Sequence, residues 1–135
     1  MEELRVNATI ENLEQVIAFL DEHLEAMDCP MKAQMQLDVA VEEIYVNIAH
    51  YAYGEGTGDA VIRLEEQDAD VIITFFDCGV PFNPLEWGDV DVEAKAESEQ
   101  IGGLGIYMVK KSMDEVTYAY EDGQNVLTLR KHLEA

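Results

Sequence analysis

The spacing of apolar residues switches from helical to alternating at a glycine cluster, Gly54, Gly56 and Gly58, and this switch limits the folds open to the chain. Upstream, Val16, Ile17, Leu20, Leu24 and Met27 keep to one stripe, and Leu37, Val41, Ile44 and Ile48 follow at intervals of four, three and four. Both segments predict amphipathic helices with one face turned inward. The first should begin at Leu13 with Asn12 as its N-cap; Pro30 closes it and opens the second, which spans 31 to about 53. Ahead of them, Val6, Ala8 and Ile10 alternate with Arg5, Asn7 and Thr9, the period of a half-buried edge strand.

Downstream, Ala60, Ile62 and Leu64 alternate, Gln67-Asp68-Ala69-Asp70 makes a turn, and VIITFFD from Val71 reads as a more deeply buried strand, together a hairpin. Between Cys78 and Gln100 the pattern dissolves into Gly, Pro and acidic residues, which predicts a lid at about 82–101, since loops of that length in a compact domain are usually functional. After Gly102-Gly103-Leu104-Gly105, Ile106, Val109 and Met113 suit a short helix, and VTYAY and NVLTLRK form two strands around Glu121-Asp122-Gly123-Gln124. This order implies an α/β (α+β) two-layer sandwich in which a mixed β-sheet carries its helices on one face. The 135 residues suffice for one core, so 1–135 is expected to be a single domain.

Eight basic against 29 acidic side chains leave a net charge of −21, which repels phosphate backbones and anionic headgroups and argues against direct nucleic-acid or membrane binding. Cys29 and Cys78 have no metal or redox spacing, and the N-terminus lacks a basic, then apolar, leader pattern, so a cytoplasmic protein with reduced thiols is expected.

Three places carry chemistry. Glu43 and Asn47 lie four apart on the long helix and project from one face, where a carboxylate can take a proton and a neutral amide oxygen can hold magnesium. Taken alone, the pair also fits a solvated helix face. Asp77 ends an apolar strand ahead of Gly79 and Pro81, so its carboxylate can read an exocyclic amine or simply cap a turn. Gly102, Gly103 and Gly105 precede a helix, where free amides suit phosphate oxygens, or they form a hinge. No Gly-Lys-Ser/Thr follows, and no strand leads in, so neither the P-loop nor the dinucleotide fingerprint applies.

The succession Glu-x-x-x-Asn, Asp-x-Gly-x-Pro, lid and Gly-Gly-Leu-Gly resembles the Bergerat-fold (GHKL) ATPases. Leu37 to Leu133, nearly three-quarters of the chain, is similar to their anti-sigma-factor serine/threonine kinase group, above all in NIAHYAYG, GGLGIYMVKKSMDEV and NVLTLRK. The resemblance implies ATP and magnesium as cofactors, Glu43 as general base, Asn47 as magnesium ligand and Asp77 on the adenine amine. It further implies Gly79 beside the base, Gly103, Leu104 and Gly105 on the phosphates, and Thr128 near the adenine through water. Glu42, one short of the four-residue spacing, is the weaker choice of base. The implied reaction moves the γ-phosphate of ATP to a serine of an anti-anti-sigma (STAS-type) partner. A sigma factor is a second implied partner, and pairing as a homodimer is common in the group.

This chain departs from the group at several points. Tyr51 stands where many relatives have histidine, with His50 one position early, and the lid carries Glu86, Asp89, Asp91, Glu93, Glu97 and Glu99 against Lys95. Weak ATP affinity and a strict need for magnesium follow from that repulsion. Lys110 and Lys111 can return some positive charge. The competing reading is a non-catalytic switch module that binds nucleotide or sequesters a partner. A sensor histidine kinase fragment ranks last, because no phospho-acceptor helix pair precedes the domain.

Overall fold

The computed structural model describes residues 1–54, 56–84 and 101–133, the first four of the last stretch by their backbone only. In chain order these are β1 (Glu2–Asn7), a 3-10 turn (Ile10–Asn12), α1 (Leu13–Ala26), α2 (Met31–Tyr51), β2 (Asp59–Gln67), β3 (Asp70–Asp77), α3 (Ile101–Ser112), β4 (Glu115–Glu121) and β5 (Gln124–His132). Residues 85–100, most of the expected lid, lie outside the described residues.

Five strands form one sheet in the order β1-β2-β3-β5-β4, and each of the four pairings is antiparallel. A mixed sheet is therefore not what forms. The connections give the reason. Two helices separate β1 from β2, and a helix pair returns the chain to the end it left, so Asn7 meets Asp59. β3 and β4 do run in one direction, but β5 is inserted between them and no parallel ladder results. The β4–β5 hairpin closes on Asp122 (φ 54°) and Gly123 (φ 78°), the two positive angles that let a two-residue turn match the strand twist.

The helical stripes do what their spacing predicts. Val16, Leu20 and Leu24 of α1, Leu37, Val41, Ile44 and Ile48 of α2, Ile106 and Val109 of α3 and Met113 just after it join Ala60, Ile62, Leu64, Ile73, Phe75, Leu127 and Leu129 from the sheet in one core. Helices thus cover one face of the sheet. Tyr45 adds a polar anchor: fully buried, its hydroxyl accepts from the Thr9 N–H (3.1 Å) and donates to the Thr9 carbonyl (2.7 Å), tying the turn after β1 to α2.

Two expectations at the N-terminus fail for one reason. The strand covers 2–7 instead of reaching Ile10, because the chain coils into the 3-10 turn immediately ahead of α1. Asn12 is consequently not extended (φ −90°, ψ 3°), makes no side-chain cap, and donates its Nδ2 to the Asn7 carbonyl (2.8 Å).

Candidate functional site

A cleft opens between α2 and the ends of β3 and β5. Ile44, Ile48, Phe75 and Leu127 make it apolar, and Asn47, Asp77 and Asn125 supply its polar atoms. This mixture of apolar walls and few directed polar groups is that of a small-molecule site.

One end is densely hydrogen-bonded. Asp77 is 6% exposed, and its Oδ1 accepts from the Gly79 N–H and the Asn125 Nδ2, both at 2.9 Å. Burial pushes its carboxyl above the usual carboxylate range while these two donors pull it back. The pairing of β3 with β5 sets Asp77 opposite Asn125. Beyond Asp77 the chain folds onto the end of α2: Val80 N–H donates to the Ala52 carbonyl (2.8 Å), and the Tyr53 hydroxyl accepts from Cys78 N–H (2.8 Å). A Cβ at Gly79 would run into the carbonyl oxygen and Cβ of Ala52. Gly79 therefore gives clearance to α2 where the chain leaves Asp77.

The other end is sparse. Asn47, 6% exposed, lines the cleft, and its Nδ2 has no partner among the described residues. One helical turn back, Glu43 is half-buried, and burial first, the neighbouring Glu42 charge second, raise its carboxyl above the usual range. Glu42 itself is exposed. The Glu43 carboxyl lies where a side chain on Gly105 would begin, since a Cβ there would overlap it. The glycine is what lets α3 close onto this carboxylate.

The helix placement alters the reading of the glycine tract. Gly102, Gly103, Leu104 and Gly105 belong to the first turns of α3, which starts at Ile101, instead of preceding it. The free amides at a helix start are those of the N-cap and the first three helical residues, which include Gly103 but not Leu104 or Gly105.

Thr128 is not brought to the cleft. Leu127 and Leu129 face the core, so Thr128 points to the opposite face of the sheet, across from Thr74 and Thr117. The last-strand residue that does meet Asp77 is Asn125, which sequence reasoning missed. Parity was the available signal: residues 125, 127 and 129 share a face. Tyr118 was missed too; it lines the cleft and donates its hydroxyl to Asn125 Oδ1. Tyr51 stacks on Phe82 at the rim (centroids 5.5 Å, planes 28° apart), and Lys111 lies over Tyr107 of its own helix (5.6 Å).

Residues 6–131 match the family described as "Histidine kinase-like ATPase domain". The serine-protein kinase RsbW of Listeria monocytogenes serovar 1/2a is 30% identical over 96 residues, 67% of this chain and 61% of that protein; RsbW of Bacillus mycoides is 28% identical over 95 residues, 67% and 59%. The matched region thus spans about three-fifths of those relatives. Among solved structures, the RsbU and RsbW domains of a Mycobacterium tuberculosis protein superpose with a TM-score of 0.66 at 19% identity, covering 98% of this chain and 33% of that one. The SiaB–SiaC complex of Pseudomonas aeruginosa gives 0.59 at 20% identity, covering 95% and 88%. At these identities the structural likeness speaks for the fold.

Proposed function

From the premise that the chain belongs to the histidine kinase-like ATPase domain family, we propose that it is an ATP-dependent serine kinase of the anti-sigma type. It phosphorylates a serine of an anti-anti-sigma partner and so governs an output, such as a sigma factor, by partner switching. The observation that carries this reading is the order of groups along α2. Glu43, Asn47 and Ala52, which carries the Asp77 loop, follow one another over about 13 Å of helix axis. That order suits a nucleotide lying with its base at Asp77 and its terminal phosphate toward Glu43. The RsbW relatives are named serine-protein kinases, which supports the acceptor class.

Asn47 fits a magnesium ion. Its buried, unpartnered amide faces the cleft, and a half-turn of that amide exchanges nitrogen for oxygen in the same space. Among the described residues no cluster of three or more acidic, His or Cys side chains could hold a metal, so the nucleotide's own phosphates would complete the shell. Magnesium held there would neutralise phosphate charge in this strongly acidic protein.

In the transfer step a bond forms between the acceptor serine Oγ and Pγ while the bond from Pγ to the bridging oxygen of ADP breaks. The serine proton passes to the Glu43 carboxylate. A carboxyl raised by burial is a better proton acceptor than an ordinary one and is suited to that role. Asp77 orients the base and the Asn47 end orients the phosphates, so that most of the catalysis is positioning.

The deciding experiment incubates the full chain with ATP labelled on its γ-phosphate, magnesium and an anti-anti-sigma protein. Label on a serine of that protein is expected. Stable capture without label would select the second reading, a non-catalytic switch, which the Tyr51–Phe82 stack at the rim favours.

A further inference from the structure

Asn125 directs its whole hydrogen-bonding capacity into the wall of the cleft. Its Nδ2 donates to Asp77 Oδ1 (2.9 Å) and to the Val80 carbonyl (2.8 Å). Its Oδ1 accepts from the Phe82 N–H (3.1 Å) and from the Tyr118 hydroxyl. The amide cannot turn over, because that would set its oxygen against two acceptors, Asp77 and Val80, and its NH₂ against two donors. Buried polar groups satisfied on every side are rigid.

We propose that Asn125, backed by Tyr118, is a positioning residue that holds the Asp77 carboxylate in one orientation, and that this makes the cleft select a purine with an exocyclic amine over one with a carbonyl at the same place. The inference rests on the nucleotide-binding reading above and names its base specificity. With Oδ1 taken by two donors, the Asp77 torsion is fixed and the second oxygen is left to the cleft. A carboxylate free to swing can meet either of two neighbouring donors on a purine edge, the exocyclic amine of adenine or the ring N–H of hypoxanthine. Held still, it matches one of them and faces a like acceptor in the other. Sites that hydrogen-bond a specific group reject the analogue lacking it far more strongly than apolar sites do.

Asn125 also straps Val80 and Phe82 to β5, so a purely structural role must be told apart. The full chain, with magnesium, is titrated by calorimetry with ATP and with ITP, whose hypoxanthine replaces the amine by a carbonyl. Wild type should prefer ATP. Asn125→Ala should lower the ATP-to-ITP affinity ratio roughly ten-fold or more, through weaker ATP binding, with ITP affinity moving less than about three-fold. Tyr118→Phe, which removes one hydroxyl, should move the ratio the same way by less. An unchanged ratio in a cooperatively melting Asn125→Ala protein, or equal weakening of both nucleotides, overturns the proposal. Should Asn125→Ala fail to fold, an unchanged ratio in Tyr118→Phe overturns it. Wild type that binds neither nucleotide overturns the functional reading and this inference together, whereas a discriminating wild type with indifferent variants overturns this inference alone.

Discussion

The two ends of the cleft are built on different principles. Around Asp77 the wall is answered within the protein and leaves one carboxylate oxygen to the cleft: two donors on Oδ1, four bonds on Asn125, a hydroxyl bridging Cys78 and Asp59. Around Asn47, and around Glu43 one helical turn beyond the cleft lining, polar groups lack partners among the described residues, with an orphaned amide, a desolvated carboxylate and a glycine where a side chain would fit nowhere. Recognition of a neutral base needs a template that does not move. Handling phosphates and a metal needs groups whose partners arrive with the ligand, and an unpaired buried polar group, costing about 1–3 kcal/mol, is a standing demand for one. The contrast predicts that substitutions at the sparse end strike turnover while those at the saturated end strike affinity.

The sharpest way to break the contrast is Glu43→Gln. Transfer should fall by roughly 10²–10⁴-fold while ATP affinity stays within about three-fold. Wild-type transfer should also fade as pH drops through the raised Glu43 value, because the base must be ionised, and the variant should lose that acid limb. A variant phosphorylating its partner at the wild-type rate ends the base assignment. Next in size is Gly105→Ala, whose methyl group would displace the Glu43 carboxyl; a misplacement of about 1 Å can cost roughly a hundred-fold in rate. Radiolabel transfer and calorimetry on the same sample should give a large loss in the first and a small one in the second. Asp77→Asn inverts the pattern: losing a charged acceptor should weaken ATP binding by about ten- to a hundred-fold. ATP titrations that superpose on wild type would remove Asp77 from base recognition.

Much of this arrangement was legible because it depends on local period. The α2 stripe and the Glu43–Asn47 spacing are one-dimensional facts, and Asp77 at the end of an apolar strand needs only the strand to be found. The antiparallel sheet was not legible, since it depends on β5 entering between β3 and β4, a long-range choice with no local signature. Asn125 was hidden because it opens NVLTLRK, which reads simply as a strand, and its role exists only through the register with Asp77. Thr128 drew notice by resemblance, and parity puts it on the face of the sheet away from the cleft. Gly105 drew notice as a flexible backbone and proved instead to be a missing side chain beside Glu43.

A third desolvated carboxylate tests whether a raised pKa alone marks function. Asp38 faces an open groove between α1 and α2, lined by Leu13, Ile17 and Val39 among Glu14, Asp21 and Glu42. Burial first, then a hydrogen bond to Asp21 and the charges of Asp21, Glu25 and Glu42, push it up to about 7. A group that holds its proton more tightly folded than unfolded contributes stability at low pH, and that contribution is lost as pH rises from the ordinary carboxylate range through about 7. Asp38→Asn should therefore leave stability near pH 4 unchanged and raise it at pH 8. The gain should be about 1 kcal/mol or less, because the groove is open to solvent. Denaturant titrations at the two pH values measure it, and parallel profiles for variant and wild type would refute the Asp38 assignment. The proposed phosphate transfer should not respond, because raised pKa is shared by Asp38, Asp77 and Glu43, whereas only the latter two belong to the proposed nucleotide site.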